Sequence, residues 1–555
     1  MDAEPVIAGA PENQRGRVGR TRDTSSVACR MTTTVRDLRR ARRIRRLGEL
    51  EWFEIAYRVY LAAIFGGAAV LWLSDLVSDD AVTRSQMVDV TNHGPAFIGL
   101  FAAAAIALGF RSGSDGGPVS LEAGDVRYLM MAPVPRRSVL LRPVVQRCRS
   151  MAFAGLLVGG LAGQLASKRL PGSTAAWVAS GACAGALIGL AFVATATIVH
   201  ALGIPRWIAT AVGALIVAVQ IGASAWEWPG PGDGIGSVAM WGMRTHPVDL
   251  VAVAAVIAAT AAALWLADRL RLEPLTRRAD LVSQLRFAVT MQDLRTVVLL
   301  RRQLRGERPR TNPWIRLGRS GSTSATRAVW QRDVRGLARY PASRLLRMAT
   351  LAVIAGLCTE FVLEGTTPLL LGMGISLYLL GLDAIEPMSQ EIDHPDFSDG
   401  TPNQRGWLLL RHFAAPAIGL APFAVVGAAA IAVVEPDHAL AALGLAIPVT
   451  WAGAAGSIVS VVRDAPNVVQ PSASAAAVPP EFAGFTSSLR FLIPIVVSSI
   501  ASLTALAMRE DPTAGTALRM AVLDALVVAT TGLWVVKRDE WAKAWRKFLE
   551  AGRKA

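Results

Sequence analysis

The sequence predicts an all-α fold: a polytopic transmembrane helical bundle of about twelve helices, built as two parallel six-helix repeats. Three observations carry this prediction. Apolar runs long enough to cross about 30 Å of hydrocarbon as helices recur along the 555 residues. Lys and Arg concentrate in the segments between alternate runs. One polar loop pattern occurs twice at a constant offset. Composition agrees, with 52% hydrophobic and only 18% charged residues and a mean hydropathy of +0.40. A soluble chain of this length would divide into several domains with polar surfaces.

Residues 1–47 are basic and polar, with the run Arg39, Arg40, Arg42, Arg43, Arg45 and Arg46. They read as a partly disordered cytoplasmic N-terminus. A cleavable signal peptide would place an apolar core near the start, and none occurs there. Met31 precedes a compact basic stretch leading into the first apolar run, so it is the expected natural start. The first six-helix half covers 48–267, with spans near 57–75, 94–111, 150–166, 175–201, 207–225 and 247–267. A basic cytoplasmic linker containing an amphipathic helix follows at 268–343. The second half covers 344–536, with spans near 344–361, 368–388, 412–434, 439–462, 491–508 and 516–536. Residues 537–555 form a cytoplasmic tail.

An even number of spans puts both termini on one side. If that side is the cytoplasm, the outer segments hold only Arg84, Lys168, Arg169, Arg244 and Arg509. The same segments carry the acidic residues Asp79, Asp80, Asp89, Glu435, Asp437, Glu510 and Asp511. This is the asymmetry of the positive-inside rule. It predicts a cytoplasmic (inner) membrane protein with both termini cytoplasmic. The net charge of +15 is thereby assigned to loops facing anionic headgroups. No basic stretch is interleaved with stacking aromatics, which excludes a nucleic-acid reader.

Each half begins with an amphipathic, partly aromatic stretch: Trp52, Phe53, Tyr57 and Tyr60 in one, Trp330 and Tyr340 in the other. Such stretches lie in the interface before a chain turns into the bilayer. Between the second and third spans of the first half stand Pro118, Ser120, Glu122, Pro133, Arg136, Leu140, Leu141 and Arg142. The second half has Pro387, Ser389, Glu391, Pro402, Arg405, Leu409, Leu410 and Arg411 at the same spacing. Eight matches at one offset imply a duplication with both loops on the cytoplasmic side. Pro133 and Pro135 are expected to stop the incoming helix, and SVLLRPVVQR and RGWLLLRH to form short amphipathic helices entering the third spans. A rigid turn, paired charges and an apolar ridge suit docking to another protein. Anchoring of the arginines to lipid headgroups is the plainer account, although it requires no fixed spacing.

The run GGPVSLEAGDVRYLMMAPVPRRSVLLRP resembles the cytoplasmic loop of type-2 ABC exporter permeases of high-GC bacteria. LRFAVTMQDLRTVVLLRRQL (285–304) and LDAIEPMSQEIDHP…RGWLLLRH (382–412) resemble later landmarks of that group, and the likeness covers roughly residues 45–540. The resemblance implies two permease units facing each other across a substrate path, an amphipathic substrate, and a separate ATPase subunit, in two copies, docked on coupling loops. Glu122, Pro133, Arg136, Arg137 and Arg142 would belong to one loop, and Glu391, Pro402, Arg405 and Arg411 to the other. The second loop departs from the pattern, since Arg405-Gly406 replaces Arg-Arg, so the two docking surfaces are expected to be unequal.

The chain has no GxxxxGK[ST] loop, so ATP would be bound by the partner and no cofactor by this chain. Its four cysteines form no CxxC pair, and its six histidines show no metal-ligand spacing or HExxH. No GxSxG elbow marks a hydrolase. The expected partners are the ATPase and membrane lipids. Gly-rich runs such as LLVGGLAGQLA and SGACAGALIGLA read as close helix packing. His394 and His412 read as polar surface residues, and Asp383 and Glu360 as interfacial groups at span ends. Asp524 is the clearest charge inside a span, a functional candidate by default. Local pairing with Arg519, or a wet edge toward the outer end, is its bland alternative. Two rival readings remain: a secondary, ion-coupled carrier, and a membrane scaffold or enzyme of lipid or cell-wall metabolism.

Overall fold

The computed structural model describes residues 37, 44, 52–77, 82–117, 119, 121, 126, 135–226, 228–276, 278–279, 282, 309–316, 318, 324–393, 400, 404–463 and 492–554. The expectations for the N-terminal segment, the 285–304 motif, Glu122, Pro133, Pro402 and His394 fall outside these residues. Among the described residues the fold is all-helical, with one isolated antiparallel bridge between Val77 and Thr366. Nine helices among the described residues are long and apolar enough to cross a membrane, so the chain is a multi-pass membrane protein. Three further expected spans also fall on helices. These are Trp52–Asp75, a pair bent by 62° (Leu369–Ala384 and Glu386–Asp393), and the short Leu492–Ala507.

The chain divides into two compact units: residues 1–67, 84–163 and 171–283, and residues 68–83, 164–170 and 284–555. The division at 283–284 lies inside the segment expected to be a linker.

The first unit contains most of α1 (Trp52–Asp75), then α2 (Arg84–Ser114), α3 (Arg136–Ala166), α4 (Thr174–Leu202), α5 (Arg206–Trp226), the short α6 (Asp233–Ala239) and α7 (Asp249–Trp265). Ser173 caps α4 by accepting from the Ala176 amide, and Gly203 ends it in the left-handed region. The glycine-rich runs form a seam between α3 and α4. Gly155, Gly159 and Gly163 lie against the backbone of Gly185, Gly181 and Trp177, so that a methyl group at any of them would overlap a carbonyl. Lipid offers no hydrophobic drive between helices, and contact this close recovers dispersion energy instead. At one end of α5 the buried Gln220 donates to the Ala96 carbonyl at 2.9 Å and to Asp233 at 2.6 Å, and accepts from the Gly232 amide at 2.7 Å. These bonds fix the turn into α6. Leu156, Leu157 and Val158 on α3 are exposed, as a lipid-facing surface requires.

The second unit contains α8 (Ala325–Leu337), α9 (Ala342–Leu363), α10 (Leu369–Ala384), α11 (Glu386–Asp393), α12 (Arg405–Arg411), α13 (Ala414–Val434), α14 (Ala439–Arg463), α15 (Leu492–Ala507) and α16 (Ala514–Lys554). A turn at 501–502 interrupts α15. Met348, Met373, Leu377, Leu380, Leu445 and Ala452 form part of the apolar core among these helices. Gly374 packs on Ser499 and Gly381 on Ala454, which brings α10 close to α15 and α14. On α16 the buried positions Ala517, Asp524, Thr531 and Val535 form one stripe, while Leu518, Val522, Leu523 and Leu526 are exposed.

Candidate functional site

The two loops singled out by the duplication both lead into a helix that begins at its matching arginine: α3 at Arg136 and α12 at Arg405. The first matched leucine is buried in both, Leu140 fully and Leu409 at 4% exposure, and the second, Leu141 or Leu410, is half-buried. We call these two corners elbows.

In the first elbow the incoming helix stops earlier than the prolines predict. Helix α2 ends at Ser114, and Gly116 and Gly117 take φ of +108° and +73°. The Gly117 amide closes on the Ser112 carbonyl at 2.8 Å. Only glycine adopts such angles without strain, so this pair ends the helix before Pro133 is reached. The elbow closes over an apolar cluster of Val119, Leu121, Val139, Leu140 and Val144 with Leu270 and Leu275. Arg278 donates to the Gly117 carbonyl. Burial, and then the charge of Arg147, lower the proton affinity of Arg278 below the ordinary arginine value, yet an arginine so placed stays charged. Arg136, Arg137 and Arg142 are exposed. The expected short amphipathic helix before the third span is instead the first part of one continuous helix, α3, with Pro143 inside it.

The second elbow is built around charge. Amphipathic α8 carries Arg332 and Asp333. Arg332 reaches Glu391 on α11 at 2.7 Å. Asp333 meets His412 Nδ1 at 2.6 Å with both side chains completely buried. On the same side of the unit, Arg347 grips Asp383 through two bonds of 2.7 Å. Arg344 donates to Glu386 at 3.2 Å and stacks over the Tyr340 ring at 3.9 Å. Tyr340 donates to the Asp383 carbonyl at 2.8 Å. Trp314 donates to the Tyr340 carbonyl at 2.8 Å, pinning the chain that precedes α8. A crevice of about 240 Å³ opens here, lined by Arg332, Asp333, Tyr340, Glu386, Gln390 and Glu391. Arg405 and Arg411 are half-buried. Gly406 explains the departure from Arg-Arg: the Val536 carbonyl lies 2.7 Å from where its Cβ would stand, so no side chain fits.

The structure corrects two expectations, for His412 and for Asp524. His412 is a buried partner of Asp333 and not a surface group. Asp383 and Glu360 stand near helix ends as expected and are buried there, the first held by Arg347 and the second bonded to His438 at 2.9 Å. Asp524 is not paired with Arg519, which is exposed; neither carboxylate oxygen has a hydrogen-bond partner. Among the described residues no group of three or more His, Cys, Asp or Glu could hold a metal.

Sequence reasoning found Glu391 and the arginines but missed Asp333, Arg332 and His412 as a set. The signal available was a lone acidic residue on the basic, amphipathic α8. Its partner lies 79 positions away.

Residues 56–383 match a protein family described as a family of unknown function, DUF6297. No curated protein matches the chain, and no solved structure matches it.

Proposed function

We propose that this chain, which belongs to the DUF6297 family, is the transmembrane permease of an ABC-type exporter. It would move an amphipathic substrate across the cytoplasmic membrane, driven by a separate ATPase that docks on the two elbows. Twelve spans are counted in this reading. They are the nine long helices, α1, the bent pair α10–α11, and α15, as two parallel sets of six with both termini cytoplasmic. The chain does no covalent chemistry and binds no nucleotide itself.

The observation that carries the reading is the built connection at the second elbow. Glu391 and His412, on either side of the loop, are both fastened to α8 by Arg332 and Asp333. A headgroup anchor has no use for such a brace. A loop that receives force has, because the brace passes displacement to α8 and on to α9. The first elbow supports the same reading from its surface. Arg136 and Arg137 stand in the first turn of α3, a turn that carries no acidic residue of its own. Cations there oppose the helix dipole, at a cost of about 0.3–1 kcal/mol each. Two exposed arginines at an unfavourable position are explained by an external acidic partner.

The test is affinity purification of the full chain from native membranes. A phosphate-loop ATPase should accompany the wild type and be lost from the Arg136→Glu, Arg137→Glu variant, with membrane insertion unchanged. Full retention of the ATPase by that variant, or purification with no ATPase, counts against the reading. One observation favours the carrier alternative, namely the orphaned Asp524, because ion-coupled carriers place ionisable groups inside the bilayer.

A further inference from the structure

Asp524 stands ten residues after the start of α16, about 15 Å along the helix axis and so close to the middle of a bilayer. Its side chain has no exposure, and both carboxylate oxygens lack a hydrogen-bond partner. The elements packed against α16 offer no counter-charge. Helix α14 is charged only at Arg463, α12 only at Arg405 and Arg411, and the segment Leu503–Ala507 not at all. On α16 itself Arg519 is exposed, and Asp511 at the outer end is engaged by Thr516 at 2.9 Å.

A polar side chain beside the carboxyl bears on its state. Thr504 lies next to Asp524, but its hydroxyl donates its hydrogen to the Ala501 carbonyl at 2.6 Å. A hydroxyl has one donor, so what Thr504 has left to offer is lone pairs. An ionised carboxylate can only accept, and the Thr504 hydrogen is already committed to the Ala501 carbonyl. A neutral carboxylic acid has an O–H to give. Two residues earlier, at the turn that interrupts α15, the Ser502 hydroxyl is also buried without a partner. A metal ion fits poorly, since hard cations require about six oxygen ligands and the surroundings are rich in alanine.

We propose that Asp524 is a proton-binding site at mid-bilayer, its carboxyl holding the proton. The broken stretch of α15 is the side from which that proton exchanges. This inference does not depend on the exporter reading, because a bound proton can serve an ATP-driven or an ion-coupled cycle.

Infrared spectra of the full chain in lipid vesicles near neutral pH test it, compared with Asp524→Asn. The expected result is a protonated-carboxyl absorption in the wild type that is absent from the variant, gives way to a carboxylate band as pH rises, and is unchanged when Na⁺ replaces K⁺. Absence of the band from the wild type, or its persistence in Asp524→Asn, overturns the proposal. Asn is isosteric with the neutral acid, so the variant should fold. If it does not, wild-type protein labelled with carbon-13 aspartate decides alone: a protonated-aspartate band near neutral pH supports the site, and its absence refutes it.

Discussion

The two elbows share a sequence pattern and differ in what holds them. The first closes over aliphatic side chains and leaves Arg136, Arg137 and Arg142 at the surface. The second also has an apolar seam, around Met388, Ile392 and Leu409. It adds the buried Asp333–His412 pair and the Arg332–Glu391 bridge, and it turns its matched arginines partly inward. Apolar closure is insensitive to salt and tolerant of small shifts. A brace of paired polar side chains is directional, and losing one partner strands the other where it is buried. The shared pattern is therefore held in two ways. One elbow presents its arginines at the surface, and the other engages polar groups in internal contacts.

Four variants would break or sharpen this contrast. Asp333→Ala strands a fully buried His412 and should cost about 3–5 kcal/mol, the range for breaking a buried pair. It would be read from thermal unfolding of the purified chain. An effect under one-third of that would show that the brace is not structural. Leu140→Ala tests the apolar elbow and should cost about 2–5 kcal/mol from the cavity it leaves, unchanged by added salt. Glu391→Gln removes a bridge whose arginine is 55% exposed, so only about 1 kcal/mol or less is expected, and the loss should shrink in high salt. The pair Arg136→Glu, Arg137→Glu should change stability least, by about 0.5 kcal/mol or less, as exposed positions do. A melting curve like that of the wild type, measured beside the purification experiment, would separate lost docking from lost folding.

Helix positions were legible because membrane solvation forces long apolar runs, and each expected span falls on a helix. The glycine seam was legible for the same reason, since small residues at helical spacing have few uses besides close approach. Helix ends were less so. The prolines of the first elbow drew attention, yet Gly116 and Gly117 act first, since a left-handed glycine pair ends a helix as soon as it is met. Helix α3 starts 14 residues before its expected span, because a polar first part can project from the membrane and remain helical. Least legible was the brace. His412 sits beside a polar loop, where histidine is ordinarily solvated, and only tertiary contact reveals Asp333 opposite it. Gly406 was seen as a departure from the repeat, but its cause, the backbone of α16 lying against it, is long-range.

The seam between α3 and α4 sets a limit on how the first unit moves. Carbonyls seated where side chains would normally stand act as teeth, and Gly155, Gly159 and Gly163 on one rod are keyed to Gly185, Gly181 and Trp177 on the other. Sliding by one residue would drive Leu or Val side chains into that backbone, so the two rods cannot ratchet past each other. Helix α3 begins at the first elbow. Any push delivered at Arg136 therefore swings both rods together as one stiff plank, and the bending must be taken up where the packing is not toothed.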